Sequence, residues 1–114
     1  MIGPFAAACI GYRFPGERPR RQRPALIVST DARNRLASDV LAIPVSTVRR
    51  EAPTHVRLKS GQGGVPRDCV LKCEQITTLP KDLLGEHALG GELPRWVMEQ
   101  VERGVLRSIG IPLD

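Results

Sequence analysis

The sequence predicts an α+β domain in which a small, curled antiparallel sheet is capped by a C-terminal helix. Several short apolar stretches at hairpin spacing predict the sheet. The cap is predicted by apolar residues that recur every four positions, namely Val97, Val101, Val105 and Ile109. Pro94, as the first helical residue, and Gly110 bound this stripe. Because 114 residues suffice for one modest core, we expect residues 1–114 to form a single domain.

The predicted strands alternate with turn-forming residues along the chain. They are Phe5–Phe14 as an edge strand, Arg23–Thr30, Val40–Thr47, Thr54–Leu58 and Asp68–Cys73, with a short extended stretch at Leu89–Leu93. Pro44 predicts a bulge or an exposed edge in the third strand. Asp31–Asp39 lacks a period and is rich in turn formers, so we predict a polar hairpin connection there. Pro80–Leu84 is predicted to form a single helical turn.

The charge balance favours anionic partners. The net charge is +5 and the pI is near 9.7, which suits nucleic acid, a phosphate ligand or an acidic protein tail. Aromatic residues make up only 4% of the chain, so it offers few platforms on which bases could stack, and nucleic-acid binding would have to depend on charge. A basic domain with a solvated surface has the same composition and stays an alternative.

The cysteines indicate a reducing compartment. Cys9, Cys69 and Cys73 are odd in number and contain no Cys-x-x-Cys, so neither a disulfide framework nor a tetrahedral zinc site has its ligands. We expect three small buried apolar side chains. No stretch approaches the roughly 18 apolar residues of a membrane span, and the opening residues lack the basic region of a signal peptide. We therefore expect a cytoplasmic protein without membrane association.

A cation and a hydroxyl follow two neighbouring strands of the predicted sheet. Arg23 stands directly before Pro24 and the apolar run Ala25–Val28, and Pro24 restricts Arg23 to an extended conformation at the mouth of the strand. Ser46 and Thr47 close the next apolar run. Two adjacent strands would bring these groups to one edge of the sheet.

The order of these motifs resembles the PemK/MazF family of toxin endoribonucleases from toxin–antitoxin pairs. The resemblance lies in Gln22–Ser29, Ile43–Thr47, Cys69–Leu79 and the helical unit Gly91–Pro112, in the family's order and spacing. It implies an SH3-like antiparallel β-barrel with a terminal helix, assembled as a homodimer. It also implies sequence-selective cleavage of single-stranded RNA without a metal ion or other cofactor, and inhibition by a cognate antitoxin protein.

The resemblance also implies site residues. The family's arginine before the proline and its hydroxyl after the following strand correspond to Arg23 and Ser46, with Thr47 as the alternative hydroxyl. A guanidinium can bind phosphate oxygens through two parallel hydrogen bonds, and a hydroxyl can hold a further oxygen. Glu17 is near an acidic position that the family often has in this loop. The arginines that flank the pair are predicted to contact RNA phosphates, namely Arg20, Arg21, Arg49 and Arg50. The pattern requires neither His55 nor His87.

The chain departs from the family pattern at its first strand. Gly3–Ile10 lacks the acidic residue and the aromatic residue that family members usually have there. Two other functions stay open. One is a toxin of the CcdB type, which has the same barrel and acts by binding alone. The other is a small basic RNA-binding barrel without catalysis.

Overall fold

The computed structural model describes residues 7–13, 22–48 and 50–113. Within these ranges the chain forms seven strands and two α-helices, in the order β1 Cys9–Tyr12, β2 Arg23–Ile27, α1 Asp31–Leu36, β3 Asp39–Ser46, β4 His55–Leu58, β5 Cys69–Lys72, β6 Thr77–Pro80, β7 Leu84–Ala88 and α2 Arg95–Ser108. Single 3-10 turns lie at Gln62–Gly64, Cys73–Gln75 and Lys81–Leu83, the last as predicted. All strand pairs are antiparallel, so the predicted class is confirmed. Neither α-helix of the described ranges has the length and apolar character needed to cross a bilayer.

β3 is the strand around which the sheet is built. One edge of β3 pairs with β2, and the other edge pairs first with β6 and then with β5. The strands therefore run in the order β4, β5, β3, β2, β1 and β7, with β6 beside β3. Pro44 lies opposite Ala25, between the part of β3 that pairs with β6 and the part that pairs with β5. The proline thus marks a change of partner rather than an exposed edge.

The sheet buries apolar side chains on both faces. On one face α2 packs its Val97 and Val101 against a cluster that includes Leu26 and Leu71. On the other face a second cluster is formed by Ile10, Tyr12, Ala25, Ile27, Val40, Ala42 and Leu79. β2 contributes to both clusters, which explains its continuous apolar sequence.

The prediction of a hairpin connection at Asp31–Asp39 is wrong. Its first six residues form α1, which Thr30 caps by accepting a hydrogen bond from the backbone N–H of Arg33 at 3.4 Å. Asn34 is the one residue of α1 that is buried, where it donates to the Ser29 carbonyl at 3.1 Å and accepts from the Ser29 hydroxyl. A helix held by a buried polar side chain has no apolar period for sequence analysis to detect.

Three further features of the fold differ from the predictions: the position of β1 in the sheet, the presence of β7 and the first residue of α2. β1 is not an edge strand, because it pairs with β2 on one side and β7 on the other; part of the predicted Phe5–Phe14 strand lies outside the described residues. β7 was not predicted, since Gly85, Glu86 and His87 interrupt its apolar pattern. Pro94 caps α2 with extended backbone, so the helix begins one residue later than predicted.

Two glycines with left-handed backbone allow a matched test of the packing near β1. Gly61 has φ +94° and open space around it, whereas a Cβ on Gly64, at φ +82°, would lie 2.2 Å from the Leu89 carbonyl oxygen. We expect Gly61→Ala to lower the free energy of unfolding by about 1 kcal/mol, from backbone strain alone. Gly64→Ala should lower it by at least about 2 kcal/mol more, because backbone atoms have to move. Urea denaturation of both variants measures the difference, and equal effects would contradict this packing.

Candidate active site

The pairing of β2 with β3 brings the predicted cation and hydroxyl together. Arg23 opens β2 and Ser46 closes β3, so antiparallel pairing carries both to one edge of the sheet. The register pairs Ala25 with Pro44, and its continuation by two residues sets Arg23 opposite Ser46. Cβ atoms of such opposite residues are about 5 Å apart. On the other side of β2, Tyr12 is the partner of Arg23.

These side chains line a cavity of about 680 Å³. Arg23, Ser46 and Thr47 all contribute to its wall, so the structure brings together the three residues predicted to be catalytic. The wall also contains two further cations, Arg67 and Lys72. Its remaining described members are Tyr12, Gln22, Pro24, Pro44, Val45, Val48 and Gln75. No acidic residue is among the described lining residues, so the cavity is strongly favourable for an anion.

The Ser46 hydroxyl is oriented by the backbone. Its oxygen accepts a hydrogen bond from the N–H of Val48 at 3.2 Å, where the chain turns out of β3. Since that bond uses the oxygen as an acceptor, the hydroxyl hydrogen remains for donation to another group. Thr47 follows in the exposed turn beyond the ladder and also reaches the cavity.

Arg67 and Lys72 are the functional candidates that sequence analysis missed. Lys72 ends β5, two residues after Val70, which pairs with Ser46. Because side chains alternate along a strand, Lys72 projects on the same face as Ser46. A lone lysine in the apolar run of β5 was a possible signal. Lys72 lies near Arg23 because β5 pairs with β3, and the local sequence does not specify that pairing.

Arg50 is the one other predicted RNA contact among the described residues, and it does not line this cavity. It lines a second cavity, from the middle of the β3–β4 connection. Arg20, Arg21, Arg49 and Glu17 lie outside the described residues, so their roles stay predictions.

A hydrogen-bonded clamp joins the two segments that flank the cavity. His55, whose side chain is only 9% exposed, contacts the Arg50 carbonyl through Nδ1 at 3.0 Å and the Glu74 carboxylate through Nε2 at 3.1 Å. The Thr54 hydroxyl donates to the other carboxylate oxygen of Glu74 at 2.9 Å. A carbonyl and a carboxylate can only accept, so both bonds to His55 form together when the ring carries both protons. The clamp ties the connection after Ser46 to the turn that contains Gln75.

The charge on Glu74 is favoured by these contacts. Partial burial acts to raise the pKa of the Glu74 carboxyl, but hydrogen bonds from its own backbone and from the His55 and Thr54 side chains outweigh this and lower it. The Glu74 carboxylate in the clamp is therefore ionised at neutral pH.

The cysteines are packing groups. All three are buried free thiols, as predicted. Burial raises the pKa of Cys9 to about 12 and that of Cys73 to about 11, so both stay protonated and lack the thiolate that a nucleophile needs. Across the described ranges, no three His, Cys, Asp or Glu side chains lie together as a metal site would require.

The chain matches a family model described as "PemK-like, MazF-like toxin of type II toxin-antitoxin system" over residues 10–109. Endoribonuclease MazF4 of Mycobacterium tuberculosis (strain ATCC 25618 / H37Rv) is 34% identical over 90 residues, which are 79% of this chain and 81% of the relative. Endoribonuclease EndoA of Bacillus subtilis (strain 168) is 30% identical over 91 residues, covering 78% and 77% of the two chains.

Solved structures agree with this match. A mycobacterial endoribonuclease in complex with its cognate antitoxin superimposes with a TM-score of 0.78 at 29% identity, covering 98% of this chain and all of that one. MazF in a MazE–MazF complex from Deinococcus radiodurans, at 24% identity, shows the same fold with a TM-score of 0.80 and coverage of 98% and 100%. The resemblance inferred from the sequence is thus confirmed: this chain belongs to the family of PemK-like, MazF-like toxins of type II toxin–antitoxin systems.

Proposed function

We propose that this protein is the toxin of a toxin–antitoxin pair and cleaves single-stranded RNA without a metal ion, in the cavity that contains Arg23 and Ser46. Its family and the endoribonuclease names of its relatives support the activity. The observation that carries the choice of site is its charge: three cations surround a hydroxyl, and the described lining residues include no acid. Such a wall suits a phosphodiester and the additional charge of its transition state.

The cleavage step needs no water. The 2′-oxygen of RNA attacks the adjacent phosphorus, a 2′,3′-cyclic phosphate forms, and the bond from phosphorus to the 5′-oxygen breaks. Arg23 is assigned to the phosphoryl oxygens, which its guanidinium would bind through two parallel hydrogen bonds. Ser46 is assigned to a further oxygen, because its hydroxyl hydrogen remains for donation. Together they would hold the phosphorus in line with the attacking and leaving oxygens.

Proton transfer is divided between the substrate and its surroundings. The 2′-hydroxyl loses a proton to a base, and the departing 5′-oxygen gains one. A guanidinium is a poor base near neutrality, so Arg23 serves as a stabiliser of charge. The described lining residues include no carboxylate and no histidine that would be an evident base. Arg67 and Lys72 are assigned to neighbouring phosphates, which they would bind as cations.

The partners follow from the family. An antitoxin is proposed as the inhibitor, because a similar mycobacterial endoribonuclease was solved with its cognate antitoxin. A homodimer is proposed from the resemblance, and the half-buried Met98 and Leu106 of α2 leave apolar surface that supports such contacts. A cytoplasmic location is proposed because messages are found there and the three cysteines are free thiols.

Removal of the Arg23 guanidinium should abolish most cleavage. We expect Arg23→Ala to lower kcat/KM for a long RNA, assayed in EDTA, by at least about 100-fold, since one donor to a developing anion commonly contributes that much. Ser46→Ala should lower it more than Thr47→Ala does, because the β2–β3 register, continued by two residues, sets Ser46 opposite Arg23. The measurement is sequencing of the fragments, whose ends should carry a 2′,3′-cyclic phosphate.

The control is Arg35→Ala, which removes an exposed arginine of α1 that lines neither basic cavity. Circular dichroism checks that each variant is folded. Intact RNA with folded wild-type protein would contradict the catalytic proposal and favour a toxin that acts by binding. Equal cleavage by wild type and folded Arg23→Ala would instead reject the assigned site.

Loss of the His55 clamp should impair cleavage without removing a group from the cavity. We expect His55→Ala to lower kcat about tenfold or more, because the connection after Ser46 loses its anchor and misplaced groups lose catalytic power steeply. His87→Ala, at an exposed position of β7, is the matched control and should retain wild-type kcat. Single-turnover kinetics of both variants make the measurement, and equal rates would exclude a positioning role for His55.

The ionised clamp should stabilise the fold in a pH-dependent way. Since folding lowers the pKa of Glu74 from its ordinary value of 4.5, its contribution is present above about pH 4.5 and is lost as the pH falls through the lowered value. Glu74→Gln should therefore lower stability at pH 7, by less than about 1 kcal/mol because the Glu74 side chain is exposed, and have a smaller effect at pH 3. Urea unfolding of both proteins at the two pH values tests this, and a pH-independent difference would contradict it.

A further inference from the structure

A second basic cavity lies near the candidate active site and has no role in the proposed chemistry. Its volume is about 730 Å³, and it lies between the β3–β4 connection, β4 and α2. We call it the arginine groove and define it by Arg50, Arg57, Arg103 and Arg107. Against these four cations its described lining residues include a single carboxylate, that of Glu51. The groove therefore suits a polyanion.

We propose that the arginine groove binds phosphates of the RNA strand that continues out of the candidate active site, so that RNA is gripped beyond the nucleotides at the cut. This role for the groove rests on the proposed function, since it takes RNA as the substrate. It adds a second binding region, on different strands and on α2, to the cavity that holds the scissile phosphate.

Strand register connects the two cavities. Ser46 pairs with Val70 of β5, and Val70 pairs with Arg57 of β4. Residues directly opposite one another project on the same face of a sheet, and adjacent strands lie about 4.8 Å apart. Arg57 thus stands on the same face as Ser46 at a spacing of about 10 Å along the sheet. Val70, which is buried, lies between the two, so the row fixes how far Arg57 is from Ser46.

The β3–β4 connection also joins the cavities. Ser46, Thr47 and Val48 line the candidate active site, and Arg50 lines the groove, so one residue separates the two linings along the chain. The His55 bond to the Arg50 carbonyl holds this connection against β4. The connection therefore fixes the position of the arginine groove relative to the candidate active site.

The groove has donors to offer a phosphate. Arg57 contacts Glu51 at 2.7 Å, but their side chains are 66% and 82% exposed, and such a surface pair is weak enough for a phosphate to replace the carboxylate. Arg107 donates a hydrogen bond to the Pro53 carbonyl at 3.2 Å, which holds its guanidinium at the wall of the groove. A guanidinium has five N–H groups, so this bond uses only a part of its donor capacity.

An acidic protein segment would also be attracted by four arginines. RNA is favoured because the groove continues a row and a connection that begin at the candidate active site, whereas nothing in the groove selects a peptide. Most of the described lining residues are charged or polar, and Ala52, Pro53 and Val56 are the apolar ones. Phosphate contacts that carry no sequence information are what such a wall provides.

The test compares RNAs of different length around a mapped cut site. Each RNA carries a 2′-deoxy nucleotide at that site, so that binding is measured without cleavage. A short RNA covers the cut and one nucleotide on each side, and a long RNA extends six nucleotides further in both directions. The proteins are wild type, the variant Arg57→Gln/Arg107→Gln, and the charge-matched control Arg35→Gln/Lys81→Gln, whose positions line neither cavity. Thermal unfolding verifies the fold of each.

We expect wild type and control to bind the long RNA at least tenfold more tightly than the short one. The groove variant should lose most of this gain, and its slope of log Kd against log salt for the long RNA should fall by about 1.4, as expected for two phosphate contacts on a single strand. An unchanged length gain in the folded groove variant would overturn the proposal. So would a groove variant that keeps the gain but loses affinity for polyglutamate, which would assign the groove to an acidic protein. The cleavage assay that maps the cut site tests the proposed function, and absence of cleavage by wild type would reject that function. The binding assay uses RNA that cannot be cleaved, so it tests the groove separately.

Discussion

The pairing of β3 along both of its edges determines where the candidate site can form. Its register with β2 sets Arg23 opposite Ser46, and its register with β5 brings Lys72 to the same face. A slip of one residue in either ladder would turn the affected side chains to the opposite face. That face is filled by the apolar cluster under α2, so a slipped register would bury charge and expose aliphatic side chains. Packing of the core thus disfavours a slipped register and maintains the geometry of the site.

The charge in the site works against the fold that holds it. Arg23, Arg67 and Lys72 line one cavity without an acidic residue among the described members of its wall, and like charges at close range repel one another. Two other cations of the described ranges have carboxylate partners, Arg33 with Asp39 at 2.7 Å and Arg95 with Glu102 at 2.8 Å. A bound anion would offset the repulsion among these lining cations.

The features that could be predicted from the sequence are those that neighbouring residues in the chain determine. Arg23 before Pro24 and the hydroxyls after β3 could be identified because strand ends and proline restrict the chain locally. Arg67 and Lys72 could not, since they join the site through the pairing of β5 with β3, and that pairing depends on the whole core. α1 was missed for a different reason: its inward residue is Asn34, whose buried hydrogen bonds to Ser29 replace the apolar contacts that a periodic pattern reports.

Different groups stabilise charge and position the site: Arg23 is assigned to charge stabilisation, and the His55 clamp is assigned to positioning. A guanidinium keeps its proton throughout the physiological range, so the part of catalysis assigned to Arg23 does not depend on pH. The clamp around His55 does depend on pH through Glu74, because its hydrogen bonds to the ionised carboxylate lower the Glu74 pKa. The clamp lies outside the wall of the cavity, yet it anchors the connection that carries Ser46 and Thr47. A response of this toxin to acid would therefore arise in the support of the active site as well as in the step that removes the 2′-proton.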